Sequence, residues 1–196
     1  MAEYRNPQRL KHRDNLTIIT IGDSTAAANP AYGHFADTDD GRMTPWPELV
    51  SHTFSRHKFY NRAVNGDTFE MMRDRFYRDV FSLDPDIVII AGGANNCWDT
   101  SKPVTGIAGI DMANQCMSNG VYVMDVMYMP ISRDWVERMP CLATTSPQYR
   151  EQVWRNGWIM QTAVHEWCGQ HGIPAVNVSG VFADRQRLNT EWLRRD

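Results

Sequence analysis

Chemistry in this chain would have to come from a few polar residues set directly behind apolar runs. Ile21-Gly22-Asp23-Ser24-Thr25 places a serine just after the run at 16–21. If a helix opens there, its first N–H groups are unpaired and its dipole is positive, so an alkoxide or tetrahedral oxyanion would be stabilised. Val64-Asn65-Gly66-Asp67-Thr68 follows a second, weaker run. Gly66 permits close backbone approach, with its N–H free to point at a ligand. Gly92-Gly93-Ala94-Asn95-Asn96 follows a third run and offers two carboxamides as N–H donors. Each segment alone has a plainer reading: a helix cap by Ser24 or Asp23, a turn glycine, an asparagine-rich turn. Acyl transfer needs an activated hydroxyl and donors preset for the developing O⁻, and the three segments together could supply the hydroxyl and the donors.

The elements that must position these residues follow from the hydropathy pattern. Short apolar or β-branched runs occupy 16–21, 58–63, 86–91, 121–127 and 175–178, the second of them weaker. The first, third and fourth are almost continuously apolar, as strands covered on both faces are. Helix-like stretches lie at 47–56, 67–78, 109–118 and 148–170, with a last amphipathic stretch at 182–194. Asp67 is placed as an N-cap with Glu70 completing a capping box; Ser146 caps the longest helix, with Pro147 in its first turn. Asn119-Gly120 and His171-Gly172 mark helix ends. This alternation predicts a three-layer α/β fold: a doubly wound, five-stranded parallel sheet with flavodoxin-like strand order. Ligands in such sheets bind at the carboxyl ends of the strands, where the three polar segments fall.

The chain has 196 residues and reads as one domain at 16–196 behind a polar N-terminal extension at 1–15. A formal net charge of −3 gives no basic footprint for nucleic acid and no polybasic membrane patch. No apolar run approaches the roughly 20 residues of a membrane span, and the first residues lack a secretory apolar segment, so a cytoplasmic location is expected. Cys97, Cys116, Cys141 and Cys168 form no Cys-x-x-Cys pair and read as free thiols. No cofactor or metal is implied: no nucleotide-binding glycine pattern occurs, and Gly41 falls one place short of the glycine a calcium loop starting at Asp37 would need.

In this order and at these strand ends, Gly22-Asp23-Ser24, Gly66 and Gly93-Ala94-Asn95-Asn96 resemble the blocks of the SGNH hydrolases, also called GDSL-type esterases, over residues 16–196. Gly-Asp-Ser-Thr, followed by Pro45-Trp46-Pro47-Glu48-Leu49, is most similar to the branch holding carbohydrate acetylesterases. The resemblance implies Ser24 as nucleophile, with an oxyanion hole made of the Ser24 N–H, the Gly66 N–H and the Asn95 side chain. Asn96 stands where the family has Asp and is given a loop-holding role. The family's last block, Asp-x-x-His, supplies the general base, yet no such block occurs after Ala175. By this alignment Asp196 takes the aspartate's place, and the histidine is expected three residues further on, from a C-terminal segment or a second chain. True loss of the base is the alternative. Of the six histidines (His12, His34, His52, His57, His165, His171), His34 is the candidate substitute.

Asp23, Trp46, Trp98, Arg133 and Trp135 are the candidate substrate contacts, the last two from a long connector at 128–147. Trp154 and Trp158, four apart, share a helix face expected to pack in the core. The expected function is a serine esterase that removes an acetyl or other small acyl group from a carbohydrate. The rivals are an inactive module binding acylated glycans, and a flavodoxin-like flavin protein using Thr20 to Thr25 as a phosphate loop.

Overall fold

A computed structural model describes residues 10, 13–27, 45–127, 133–138 and 142–177. The strands are β1 (Thr17–Gly22), β2 (Lys58–Asn61), β3 (Ile87–Ala91), β4 (Tyr122–Met127) and β5 (Ala175–Asn177). Between them run α1 (Trp46–Thr53), the short α2 (Phe69–Asp74) and α3 (Phe76–Asp79), α4 (Ile107–Ser118), the short α5 (Arg133–Arg138) and the 24-residue α6 (Pro147–Gln170). The sheet order is β2-β1-β3-β4-β5 and every pairing is parallel. This is the flavodoxin-like α/β order expected. After β1 the chain moves outward to β2, then returns to place β3 on the other side of β1. The connections therefore part between β1 and β3, opening a crevice at their carboxyl ends.

Strand parity explains the near-continuous apolar runs. Ile19, Ile21, Val88, Ile90 and Val123 join one core with residues of α2, α4 and α6; Ile18, Ile89, Ala91 and Val126 join a second on the opposite face, with Trp46 packed against it. From the predicted N-terminal extension, Leu10 is buried in that second core and Arg13 pairs with Asp86 at 2.8 Å. Asp125 points into the first core from β4, beside Cys168 of α6 and against a small cavity. Its Oδ2 has no hydrogen-bond partner among the described residues, and burial pushes its pKa up to about 7. No helix among the described residues is long and apolar enough to cross a membrane.

Several local expectations are corrected. The cap of α2 is Thr68, whose hydroxyl accepts from the Met71 N–H, and the predicted helix at 67–78 breaks at Arg75. Asp67 turns its carboxylate to Arg75 instead. The connector at 128–147 contains α5. Trp154 is partly buried against the core, whereas Trp158 is 59% exposed. Ser146 does cap α6, accepting from the Tyr149 N–H at 3.1 Å. Cys97, Cys116 and Cys168 are free and buried. The stretch at 182–194, Cys141, His12 and His34 lie outside the described residues.

Candidate active site

The loop after β1 is fixed by close backbone contact. A Cβ on Gly22 would lie 2.4 Å from the Ala91 carbonyl oxygen, so only glycine lets the ends of β1 and β3 meet this way. The Asp23 N–H then donates to that carbonyl at 3.1 Å, and the Ala26 and Ala27 N–H groups both donate to the Asp23 carbonyl. Ser24 sits half-buried in this turn. Residues 23–27 make a hydrogen-bonded turn; the continuation of the helix expected there lies outside the described residues. Asp23, a candidate substrate contact from the sequence, is fully buried beneath it. Its Oδ1 accepts from the Thr25 N–H at 2.9 Å and the Thr25 hydroxyl at 2.6 Å, so the carboxylate braces the turn that carries Ser24. Burial raises the Asp23 pKa, against the pull of the Thr25 hydroxyl and the Thr25 and Ala94 amides; the Asp67 carboxylate adds to the rise. Its Oδ2 accepts no well-formed hydrogen bond among the described residues.

The loop after β2 is tied to the first. The Val64 N–H donates to the Gly22 carbonyl at 2.9 Å, and Asn61 Nδ2 donates to the Ala26 carbonyl at 2.8 Å. The Asp67 N–H closes the next turn onto the Val64 carbonyl at 3.3 Å. Gly66 stands exposed in that turn at φ +84°, a conformation that favours glycine although nothing crowds its α-carbon.

The loop after β3 is tied to the second. Asn95 Nδ2 donates to the Asp67 carbonyl at 2.9 Å. A carboxamide carries two N–H groups, so one remains for another acceptor. Asn96 accepts from the Phe69 N–H at 3.0 Å and donates to Glu70 at 2.7 Å. An aspartate there could accept but not donate, and would face the Glu70 carboxylate. The departure from Gly-x-Asn-Asp thus has a local reason. Ser24, Gly66 and Asn95 are brought onto three mutually bonded loops at one sheet edge.

The remaining candidates lie on the flanks. Trp46 opens α1, half-buried against the second core. Trp98 packs partly against the first core, and its carbonyl accepts from the Tyr149 hydroxyl at 2.9 Å. Arg133 is engaged with α6: it pairs with Glu151 at 2.6 Å, and its guanidinium lies 4.9 Å from the Trp154 ring centre. Trp135 lies on the same short helix, α5. Asp196 lies outside the described residues. Helices between parallel strands run opposite to them, so helix C-termini sit at the sheet's amino edge. His52 at the end of α1, His57 before β2, and His165 and His171 at the end of α6 therefore all lie on the edge opposite Ser24. Asn61, Asp67, Arg75, Tyr149 and Asn156 were not singled out as site residues from the sequence. Asn156, which donates to the Cys97 carbonyl at 3.3 Å, and Tyr149 hold the third loop from α6.

The sheet order and the linked strand-end loops make this a flavodoxin-like α/β protein with its polar loops gathered at the β1/β3 crevice. Residues 20–196 match the GDSL-like lipase/acylhydrolase family, and the chain belongs to that family of hydrolases. Three solved structures share the fold. A member of the lipolytic protein G-D-S-L family from Veillonella parvula has a TM-score of 0.62 at 13% identity, covering 88% of this chain and 83% of its own. A variant of Axe2, an acetyl xylan esterase from Geobacillus stearothermophilus, has a TM-score of 0.61 at 14% identity, covering 89% and 81%. The lipase/acylhydrolase from Enterococcus faecalis has a TM-score of 0.56 at 17% identity, covering 86% and 78%. No curated protein sequence matches the chain.

Proposed function

We propose that this chain is a serine esterase that removes an acetyl or other small acyl group from a carbohydrate. The observation that supports this most is the mutual bonding of the Ser24, Gly66 and Asn95 loops, above all Asn95 Nδ2 on the Asp67 carbonyl at 2.9 Å. In this reading Ser24 Oγ attacks the acyl carbon and its proton passes to a base. The carbonyl oxygen becomes an oxyanion facing the Ser24 N–H, the Gly66 N–H and the second Asn95 N–H. Collapse expels the sugar oxygen, which takes the proton; water then attacks the acyl-serine and releases the free acid. Gly-Asp-Ser-Thr with Pro-Trp-Pro-Glu-Leu, and an acetyl xylan esterase of the same fold, support the choice of acyl group and sugar.

The base is the open part of the machinery. No histidine follows Ala175 within residues 175–196, where the family's last block supplies it. Loss of the catalytic histidine lowers kcat by about 10⁶-fold in a serine protease. The 196 residues should therefore hydrolyse p-nitrophenyl acetate slowly, and imidazole in solution should raise the rate above a Ser24→Ala blank. A fluorophosphonate should label Ser24 under the same conditions. The second reading is a non-catalytic module holding acylated glycans. No rate above the blank and no labelling, together with binding of acetylated xylo-oligosaccharide, would select it.

A further inference from the structure

We infer that Arg75 is a positioning residue of the oxyanion hole, a cation that sets the three loops against one another; this rests on the esterase reading above. Arg75 stands at the break between α2 and α3, with its side chain only 11% exposed. Its Nε donates to Asp67 Oδ2 at 2.7 Å, and Nη1 to the Arg62 carbonyl at 2.7 Å and to Asp79 Oδ2 at 2.8 Å. Nη2 reaches the Gly22 carbonyl at 3.4 Å. These acceptors come from the segment just before Asp23-Ser24, from the end of β2, from the residue after Gly66, and from α3. A planar fork of five N–H donors can hold such divergent oxygens at once; a lysine ammonium is a point charge and holds fewer in fixed directions.

Asp67 passes this constraint on. Its carboxylate is held by Arg75, its N–H closes the turn that presents Gly66, and its carbonyl takes Asn95 Nδ2 at 2.9 Å. Two of the three oxyanion donors therefore move with Asp67. A buried ion pair contributes little net stability against a well-packed apolar alternative, so stability alone gives a weak reason for an arginine at this point. Fixing the directions of Gly66 and Asn95 gives a strong one, because a misplacement of about 1 Å at a reacting centre costs on the order of 10²-fold in rate.

The test is a double-mutant cycle on imidazole-supported hydrolysis of p-nitrophenyl acetate, read above a Ser24→Ala blank. Arg75→Gln should lower kcat by about 10- to 100-fold while KM stays within about threefold. In an Asn95→Ala background the same substitution should lower kcat several-fold less than it does alone, because one of the two donors it positions is already gone. Equal fold losses in both backgrounds, or a raised KM at unchanged kcat, would overturn the proposal. If Arg75→Gln does not fold, Arg75→Lys takes its place. It should melt within a few degrees of wild type yet keep a kcat lowered by about tenfold; wild-type kcat in Arg75→Lys would also overturn the proposal. A wild-type rate no higher than that of Ser24→Ala is a different result, which removes the esterase reading itself and the role of Arg75 with it.

Discussion

Asn95 uses one amide hydrogen on the Asp67 carbonyl, which leaves the other aimed by that bond. Replacing it with alanine removes a loop tie and, in the proposed esterase, an oxyanion donor. Asn95→Ala should lower kcat by about 10²- to 10³-fold with KM little changed; wild-type kcat in this variant would remove Asn95 from the hole. At Gly66 the argument is conformational. Its φ of +84° with open space beyond means that Gly66→Ala meets strain and no collision. A loss of about 1–2 kcal/mol is expected from denaturant titration, and a larger one would reveal crowding that the fold does not show. Ser24, Gly66 and Asn95 were within reach of the sequence because their segments sit just behind apolar runs and, in that order, resemble the SGNH blocks. Arg75, Asn61 and Tyr149 were not. Each acts on backbone far away in sequence, as Tyr149 does on the Trp98 carbonyl, and nothing in local spacing records such a partner.

At the scale of elements, the buried parallel strands were the easiest to read, since both faces of β1, β3 and β4 are covered and their runs are unbroken. The helix predicted at 67–78 is broken for a physical reason. Asp67 and Thr68 are both good caps, and the competition was decided by Arg75, which draws the Asp67 carboxylate away and leaves Thr68 to accept from Met71. Asn96 makes the clearest prediction here. Asn96→Asp exchanges a donor toward Glu70 for a second negative charge. It should cost about 1 kcal/mol in urea unfolding near neutral pH. Adding Glu70→Gln should restore most of that loss, and failure of the pair to recover would show that Glu70 is not what favours the amide. The cap of α6 can be checked in the same way: Ser146→Ala should cost about 1 kcal/mol through the unmet Tyr149 N–H.

At the scale of the whole molecule, Asp125 in the first core is a carboxyl that burial holds near pH 7. Its pKa is raised on folding from an unfolded value of about 4. The folded state therefore binds the extra proton between these two values, and the contribution to stability falls as pH rises through that window. Asp125→Asn removes the titration. Its stability relative to wild type should climb between pH 4 and pH 7 by up to about 4 kcal/mol and then level off. Parallel stability curves for the two proteins would show that the carboxyl is not held neutral by the fold.

The placement of the histidines has a kinetic consequence. His52, His57, His165 and His171 all stand at the edge of the sheet opposite Ser24, so protonating them adds charge far from the serine. Changing all four to glutamine, on an Asp125→Asn background, should leave the acid limb of a Ser24-dependent rate profile where it was. An inflection that survives near neutral pH then belongs to a group other than these five: Asp23 beneath Ser24, His12, His34 or the proton acceptor itself.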